Sequence, residues 1–427
     1  MKKLLALVLA AVLLAGVLAG CGASGSSSGG STSQGSAQPA EPTELTLWLP
    51  VYQFGDGPSD EEFWTGQLAS FEEENNCTIN LEILSWTDYV TTIYTGLLSG
   101  DGPDVVYTTE VYDLIAADLL APLDEYITDE DRENYIYLDQ AAYNEEGQMC
   151  TLPMMVGNAC VMYFNMDILE AAGITELPTT WDELFDVCKA IKESNPDVWP
   201  FIQPWGASNG TSALMTGFWP YFFQAGGTVL DENGELNMDS EATLEALNFI
   251  KRMKDEGIFD DSITSMDDPP GKFVSGEAAI IVAGTGNAST FTENGVNWQS
   301  VLSMEGPAGL GTKIAVNSLG IANYCEDKEL AAKLIKYLTS GPVMDAYHSE
   351  VYGMASVTKD ATYEEPEPFQ SMYAEHSDVM YVVPAFEGST SFENTMMQNI
   401  QLMLTGSLTP EEVIDETMTY YNEQIKS

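Results

Sequence analysis

The stretch from Tyr163 to Ile191, YFNMDILEAAGITELPTTWDELFDVCKAI, reads as a strand end, a short helix, a turn and a longer helix. Gly173 follows Leu169, Ala171 and Ala172 and can take the left-handed conformation that closes a helix. Pro178 keeps the linker from continuing as helix. Thr180 stands where it caps the second helix, and Glu183, three residues on, completes a capping box. Leu184, Val187, Cys188 and Ile191 recur at i, i+3, i+4 and i+7, so this helix buries one stripe. The stretch builds α/β scaffold and carries no chemistry of its own.

Working outward, the same alternation of elements continues. Leu45 to Leu49 alternates as a half-buried strand, and Trp64, Leu68 and Phe71 mark a helix. Ile79, Leu81 and Ile83 alternate again, Trp86 and Tyr89 open another helix, and the run from Ser99 to Pro103 stops it. Asp104 to Tyr107 then reads as a short buried strand. Strand, helix, strand, helix, strand predicts a parallel, doubly wound sheet. Beyond Tyr163 the chain reads as helices with sparse strands, at Val161 to Phe164 and Ala278 to Val282. Glu241 to Lys254 places Leu244, Leu247, Ile250 and Met253 on one face. Thr409-Pro410-Glu411-Glu412 is a capping box with proline at the first helical position, opening a terminal helix to about Ile425.

The 427 residues are too many for one ordinary core, so two domains are expected. Residues 1–20 belong to neither. Lys2 and Lys3 precede an apolar run from Leu4 to Leu18, then small residues and Cys21, which is the order of a secretory signal. The run falls short of the ~20 apolar residues that span a bilayer. Residues 21–42 are Gly, Ser, Ala, Gln and Pro in the main, a flexible tether.

A formal charge of −51, from 66 acids against 15 cations, repels nucleic acid and anionic head groups. Lys251, Arg252 and Lys254 share a helix with Asp255 and Glu256 and form no basic pocket, so a neutral or cationic ligand fits best. The acid runs Asp129-Glu-Asp131 and Asp260-Asp261 miss the spacing of a calcium loop and read as solvated loops. With only His348 and His376, paired-histidine metal sites are excluded, and neither histidine accompanies a nucleophile elbow. Gly284-Thr-Gly286 lacks the third glycine of a dinucleotide loop. No cofactor, metal or catalytic set is expected; among so many acids a glycosidase pair is the one enzymatic alternative left open. Cys77, Cys150, Cys160, Cys188 and Cys325 match no zinc spacing. Cys150 and Cys160 flank two consecutive strands, where an exported location permits a bridge without requiring one.

Four segments carry a resemblance. N-x-D-x-L-x-x-A-G at Asn165 to Gly173 with L-P-x-T-W-D-E-L at Leu177 to Leu184 resembles the bacterial ABC-transporter solute-binding lipoproteins, nearest their sugar-binding, maltose-binding-protein-like group. W-x-D-Y at Trp86 to Tyr89 followed by G-D-G-P-D-V at Gly100 to Val105, Phe273 to Ile280, and the helix after Asp327 resemble it too. Leu18-Ala19-Gly20-Cys21 resembles a lipobox, which implies a lipidated Cys21.

The resemblance implies a two-lobed periplasmic-binding-protein-like (type II) fold with a hinge and an interlobe cleft. It implies lobes of 43–153 plus 306–351 and 154–305 plus 355–427, with crossings near Pro153, near Met304 to Gly306 and near Tyr352 to Ala355. The function implied is capture of a carbohydrate, an oligosaccharide above all, by a monomer that hands it to an ABC permease. A peptide or polyamine receptor is the alternative within transport. Matching segments imply ligand contacts at Tyr52, Gln53, Glu110, Asn158, Trp205, Trp219, Asn287, Phe392 and Glu393, with Trp219 foremost. A pyranose needs an aromatic platform and polar side chains at its edge, which these residue types supply. Relatives that bind maltose place an acid where this chain has Gly157 and a tryptophan where it has Gly286-Asn287; both departures point away from maltose itself.

Overall fold

Alternating Leu45, Leu47 and Leu49 bury one face of strand β1 (Thr43–Pro50), which pairs in parallel with β2 (Cys77–Leu84) on one side and β3 (Val105–Thr108) on the other. The remaining strands are β4 (Thr151–Gly157), β5 (Cys160–Asn165), β6 (Trp199–Ile202), β7 (Phe259–Asp260), β8 (Ala278–Gly284), β9 (Trp298–Val301), β10 (Thr312–Lys313), β11 (Ala315–Ile321) and β12 (Met380–Tyr381). The structure is a computed structural model and describes residues 42–426 apart from 53–57, 87–88, 110, 139–140, 145, 207–209, 261–267 and 385. The leader, the tether, Cys21, Gln53, Glu110 and Asp261 therefore lie outside the described residues.

Two five-stranded sheets carry the fold, in the orders β2-β1-β3-β11-β4 and β7-β6-β8-β5-β9, so the chain is two-lobed α/β as the resemblance implies. The three strands read as parallel are parallel. Beside them β11 runs antiparallel to both β3 and β4, so each sheet is mixed rather than uniformly parallel. In the second sheet β5 is buried on both faces. Cys160, Met162 and Phe164 enter one cluster while Val161 and Tyr163 enter another, as the two-residue period of a strand dictates.

The deciding stretch folds as read. Asn165 caps the helix Met166–Ala171, accepting from the Ile168 N–H at 3.3 Å, and Gly173 has φ +77°. Trp181, Leu184, Phe185, Cys188 and Ile191 are buried in the helix Trp181–Ser194. One detail differs. Thr180 Oγ1 accepts from the Glu183 N–H, but the Glu183 carboxylate turns back to Thr179, accepting from its N–H and its hydroxyl at 2.8 Å each. These bonds hold its carboxyl below the usual range. The box at Thr409 and Glu412 is complete.

Strand pairing locates the changes of sheet. β4 stays paired with β11 as far as Gly157, four residues past Pro153; Pro153 pairs with Ser318, and the register shifts between Ser318 and Asn317. The second sheet starts at Cys160, so the changeover is the Gly157-Asn158 pair, with φ +117° and +46°. After the expected third crossing the chain still adheres to the first sheet. Met354 and Val357 pack in its core, the Ile136 N–H donates to Val357 O, and Asp345 receives the Thr362 and Tyr363 N–H groups. Phe369 is the next residue to join the second sheet's core.

The five cysteines among the described residues are free and buried. Cys150 and Cys160 form no bridge because their consecutive strands belong to different sheets. The acid run at Asp129 is no loop: Asp129, Glu130 and Asp131 fill the first turn of the helix Asp129–Asn134, capped by Thr128, where the helix dipole favours them.

Candidate functional site

The order β2-β1-β3 makes β1 a switch point, with connections leaving to either side, and in such sheets ligands settle beyond the carboxyl ends of the strands. A cavity of about 240 Å³ opens there. Its floor is Tyr107, Thr108 and Thr109 at the end of β3, and one wall is Tyr89, Thr91 and Tyr94 of the helix Tyr89–Ser99. The opposite wall comes from a distant part of the chain: Thr390 and Ser391, at the start of the helix Ser389–Leu404, whose body packs in the second sheet's core. Thr390 donates its hydroxyl to Asp113 Oδ2 at 3.3 Å, and Asp113 also lines the cavity.

Local chemistry fixes these groups. Tyr89 donates its hydroxyl to Tyr107 O at 2.8 Å, which ties the helix to the strand end. Burial pushes both tyrosine hydroxyls far above their usual range, so both stay neutral. Tyr94 flanks the stripe of buried Tyr89, Ile93 and Leu97, about 100° round the helix from its centre, and is 38% exposed. Ring faces, hydroxyls and one carboxylate suit a neutral molecule rich in hydroxyl groups. Among the described residues no group of three or more His, Cys, Asp or Glu could hold a metal ion.

The nine contacts expected from sequence separate into groups. Gln53 and Glu110 lie outside the described residues. Tyr52 is 6% exposed: its hydroxyl is 2.6 Å from that of Tyr107, accepts from Asn317 Nδ2 at 3.1 Å, and its ring meets Trp86 and Tyr352. Asn158, at the changeover of sheets, and Asn287, at the start of the helix after β8, are half-buried. Asn158 Oδ1 accepts from the Tyr352 hydroxyl at 3.2 Å and the Gly286 N–H at 3.3 Å, and Asn287 Nδ2 donates to Gly284 O.

Trp205, Trp219, Phe392 and Glu393 lie away from the cavity's lining. All four are buried in the second sheet's core, and Trp219 is 0% exposed. Phe218, Phe222 and Phe223 surround its ring, and its indole N–H donates to Glu393 Oε1 at 3.0 Å. Thr211 donates to the other Glu393 oxygen. The reason is local: Trp219 opens a six-residue helix, Trp219–Gln224, every residue of which is buried.

Tyr94, Asp113 and Thr390 were missed. Tyr94 alone left a signal, an aromatic at the margin of its helix's buried stripe. The two maltose-related departures have a steric reason. A Cβ on Gly286 would sit 2.1 Å from Tyr352 Cζ, and one on Gly157 2.9 Å from the Tyr373 hydroxyl oxygen. That hydroxyl also accepts from the Ala159 N–H at 2.9 Å.

A two-lobed α/β protein with a cavity walled from both halves has the architecture of a receptor that takes up a solute. Residues 54–343 match the family of bacterial extracellular solute-binding proteins, and the chain belongs to that family. It is 22% identical over 370 residues to the galactooligosaccharide-binding protein of Bacillus subtilis, covering 84% of this chain and 86% of that one. Two solved structures share the fold. An ABC substrate-binding protein of Listeria monocytogenes in complex with cycloalternan superposes with a TM-score of 0.76 at 19% identity, over 90% of this chain and 98% of that one. Maltose-bound MalE3 of T. maritima gives 0.76 at 22%, over 89% and 99%.

Proposed function

We propose that this protein captures a neutral carbohydrate, an oligosaccharide in particular, in the cleft between its lobes and delivers it to the membrane subunits of an ABC importer. The observation that carries the reading is the cavity at the switch point, with tyrosine rings and threonine hydroxyls on one side and Thr390 with Ser391 on the other. A ligand touching both walls favours the form in which they are close, and hinge closure follows from that preference. The relatives' ligands, galactooligosaccharide, cycloalternan and maltose, are all carbohydrates, which supports sugar over peptide or polyamine and a receptor over an enzyme. Tyr94, Thr91, Asp113 and Thr390 are the proposed contacts, with Asn158 at the changeover and Asn287 at the start of the helix after β8. Gln53 and Glu110 stay in the set by their place in the sequence after β1 and β3.

The proposed lobes follow the sheets. The first comprises 43–157 and about 315–363, the second 160–312 and about 369–426. Cys21 is the proposed lipid anchor, holding a monomer on the outer face of the membrane through the 21–42 tether. Cys21→Ala should give protein without a diacylglyceryl mass at its N-terminus; wild-type protein that retains residues 1–20 would refute the anchor.

Thermal shift against mono- and oligosaccharides, acidic sugars, peptides and spermidine tests the substrate class. A ligand at 100 times its Kd adds ~2.7 kcal/mol of stability. A neutral oligosaccharide should give that response and acidic sugars a weaker one. A response to peptides or spermidine alone would overturn the reading.

A further inference from the structure

We infer that Tyr352 sets which carbohydrates the cleft accepts, by filling a ring-sized position between the lobes with its own side chain. The inference rests on the carbohydrate reading above and deepens it.

Tyr352 lies on the connection that follows the helix Gly341–Glu350, yet its ring reaches between the carboxyl ends of β1 and β8. On the first-lobe side its ring centroid is 4.8 Å from that of Tyr52, just past β1. On the other side its hydroxyl donates to Asn158 Oδ1 at 3.2 Å, and its Cζ occupies the space a Cβ on Gly286 would need. The backbone is held as well, with His348 Nδ1 2.9 Å from Tyr352 O. Burial keeps the His348 ring neutral, lowering its pKa to about 4, so this contact does not loosen near neutral pH.

These are the contacts a sugar ring would make: a flat face against an aromatic and a hydroxyl on a side-chain amide. Tyr352 makes the second outright and, with its ring inclined 42° to that of Tyr52, a tilted form of the first; its partners are Tyr52 in the first lobe and Asn158 at the changeover. Tyr52 in turn touches Tyr107 through their hydroxyls at 2.6 Å, and Tyr107 lines the cavity. Tyr352 thus stands between Tyr52 and Asn158, two of the contacts expected from sequence, and limits how far a ligand extends from one toward the other. Gly286 is part of the device, because any side chain there would expel the ring.

The test is isothermal titration of maltose, maltotriose and maltotetraose, and of the matching galactooligosaccharides, into wild type, Tyr352→Ala and Tyr352→Phe. Tyr352→Ala should shift preference toward the longer sugars by about tenfold relative to the disaccharide, including sugars that wild type does not bind. Tyr352→Phe keeps the ring and should keep the wild-type length preference. If Tyr352→Ala does not fold, Tyr352→Leu, which retains apolar contact with Tyr52, should show the same shift in smaller degree. An unchanged length preference, or an equal loss for every sugar, overturns the inference and leaves the carbohydrate reading standing. No sugar bound by any of the proteins overturns both.

Discussion

Two regions of this molecule are rich in aromatic residues, and they do opposite things. Tyr89, Tyr94 and Tyr107 gather where strands of the first sheet end, and one of them, Tyr94, turns a face to solvent. Trp205, in a turn, and Phe218, Trp219, Tyr221, Phe222 and Phe223, at or on a short helix, gather in the second lobe, and all of these rings are buried. Residue type alone does not separate the two. What separates them is support: a ring on one face of an amphipathic helix has a free side, whereas a ring in an unbroken run of large apolar residues is covered by its own neighbours.

The largest expected effect tests the covered region. Trp219→Ala removes a fully buried ring and the donor to a buried carboxylate, and should cost ~3–5 kcal/mol of folding stability by chemical denaturation. Affinity in the fraction that folds should be preserved. A stable mutant with lost affinity would make Trp219 a gripping residue after all.

Two buried acids sharpen the contrast. Glu393 accepts from Trp219 and Thr211, whereas Glu365, 7% exposed, has no hydrogen-bond partner for either oxygen among the described residues. Tyr163, Tyr352, Tyr363 and Tyr373 are the titratable groups that face it. Burial pushes its pKa from 4.5 up to about 8. Between those values the folded protein keeps a proton that the unfolded chain has released. Stability contributed by this group is thus complete below pH 4.5 and falls as pH rises to about 8. Glu365→Gln should raise the melting temperature at pH 8 and change it little at pH 4. A variant that is equally affected at both values would mean the carboxyl is not buried neutral.

How much of this could be read in the sequence follows the same division. The helix Trp181–Ser194, the first three strands and the terminal capping box were legible, because each is fixed by local periodicity and caps. The changeover at Gly157-Asn158 was not, since only pairing with β11, more than 150 residues later, shows that β4 runs past Pro153. Nothing in the spacing of Tyr352 or Thr390 shows that the one meets Asn158 and the other Asp113. Contacts made by connections between lobes leave no period.

The smallest effect on folding belongs to Tyr94, and it gives the most direct test. Tyr94→Ala removes an exposed ring and should change stability by less than ~0.5 kcal/mol. The measurement is isothermal titration of whichever carbohydrate gives the greatest thermal shift into wild type, Tyr94→Ala and Trp219→Phe. The cleft described here requires Tyr94→Ala to weaken binding by about tenfold or more and Trp219→Phe to stay within about twofold of wild type. Loss of affinity in Trp219→Phe, with Tyr94→Ala binding as wild type does, would contradict it.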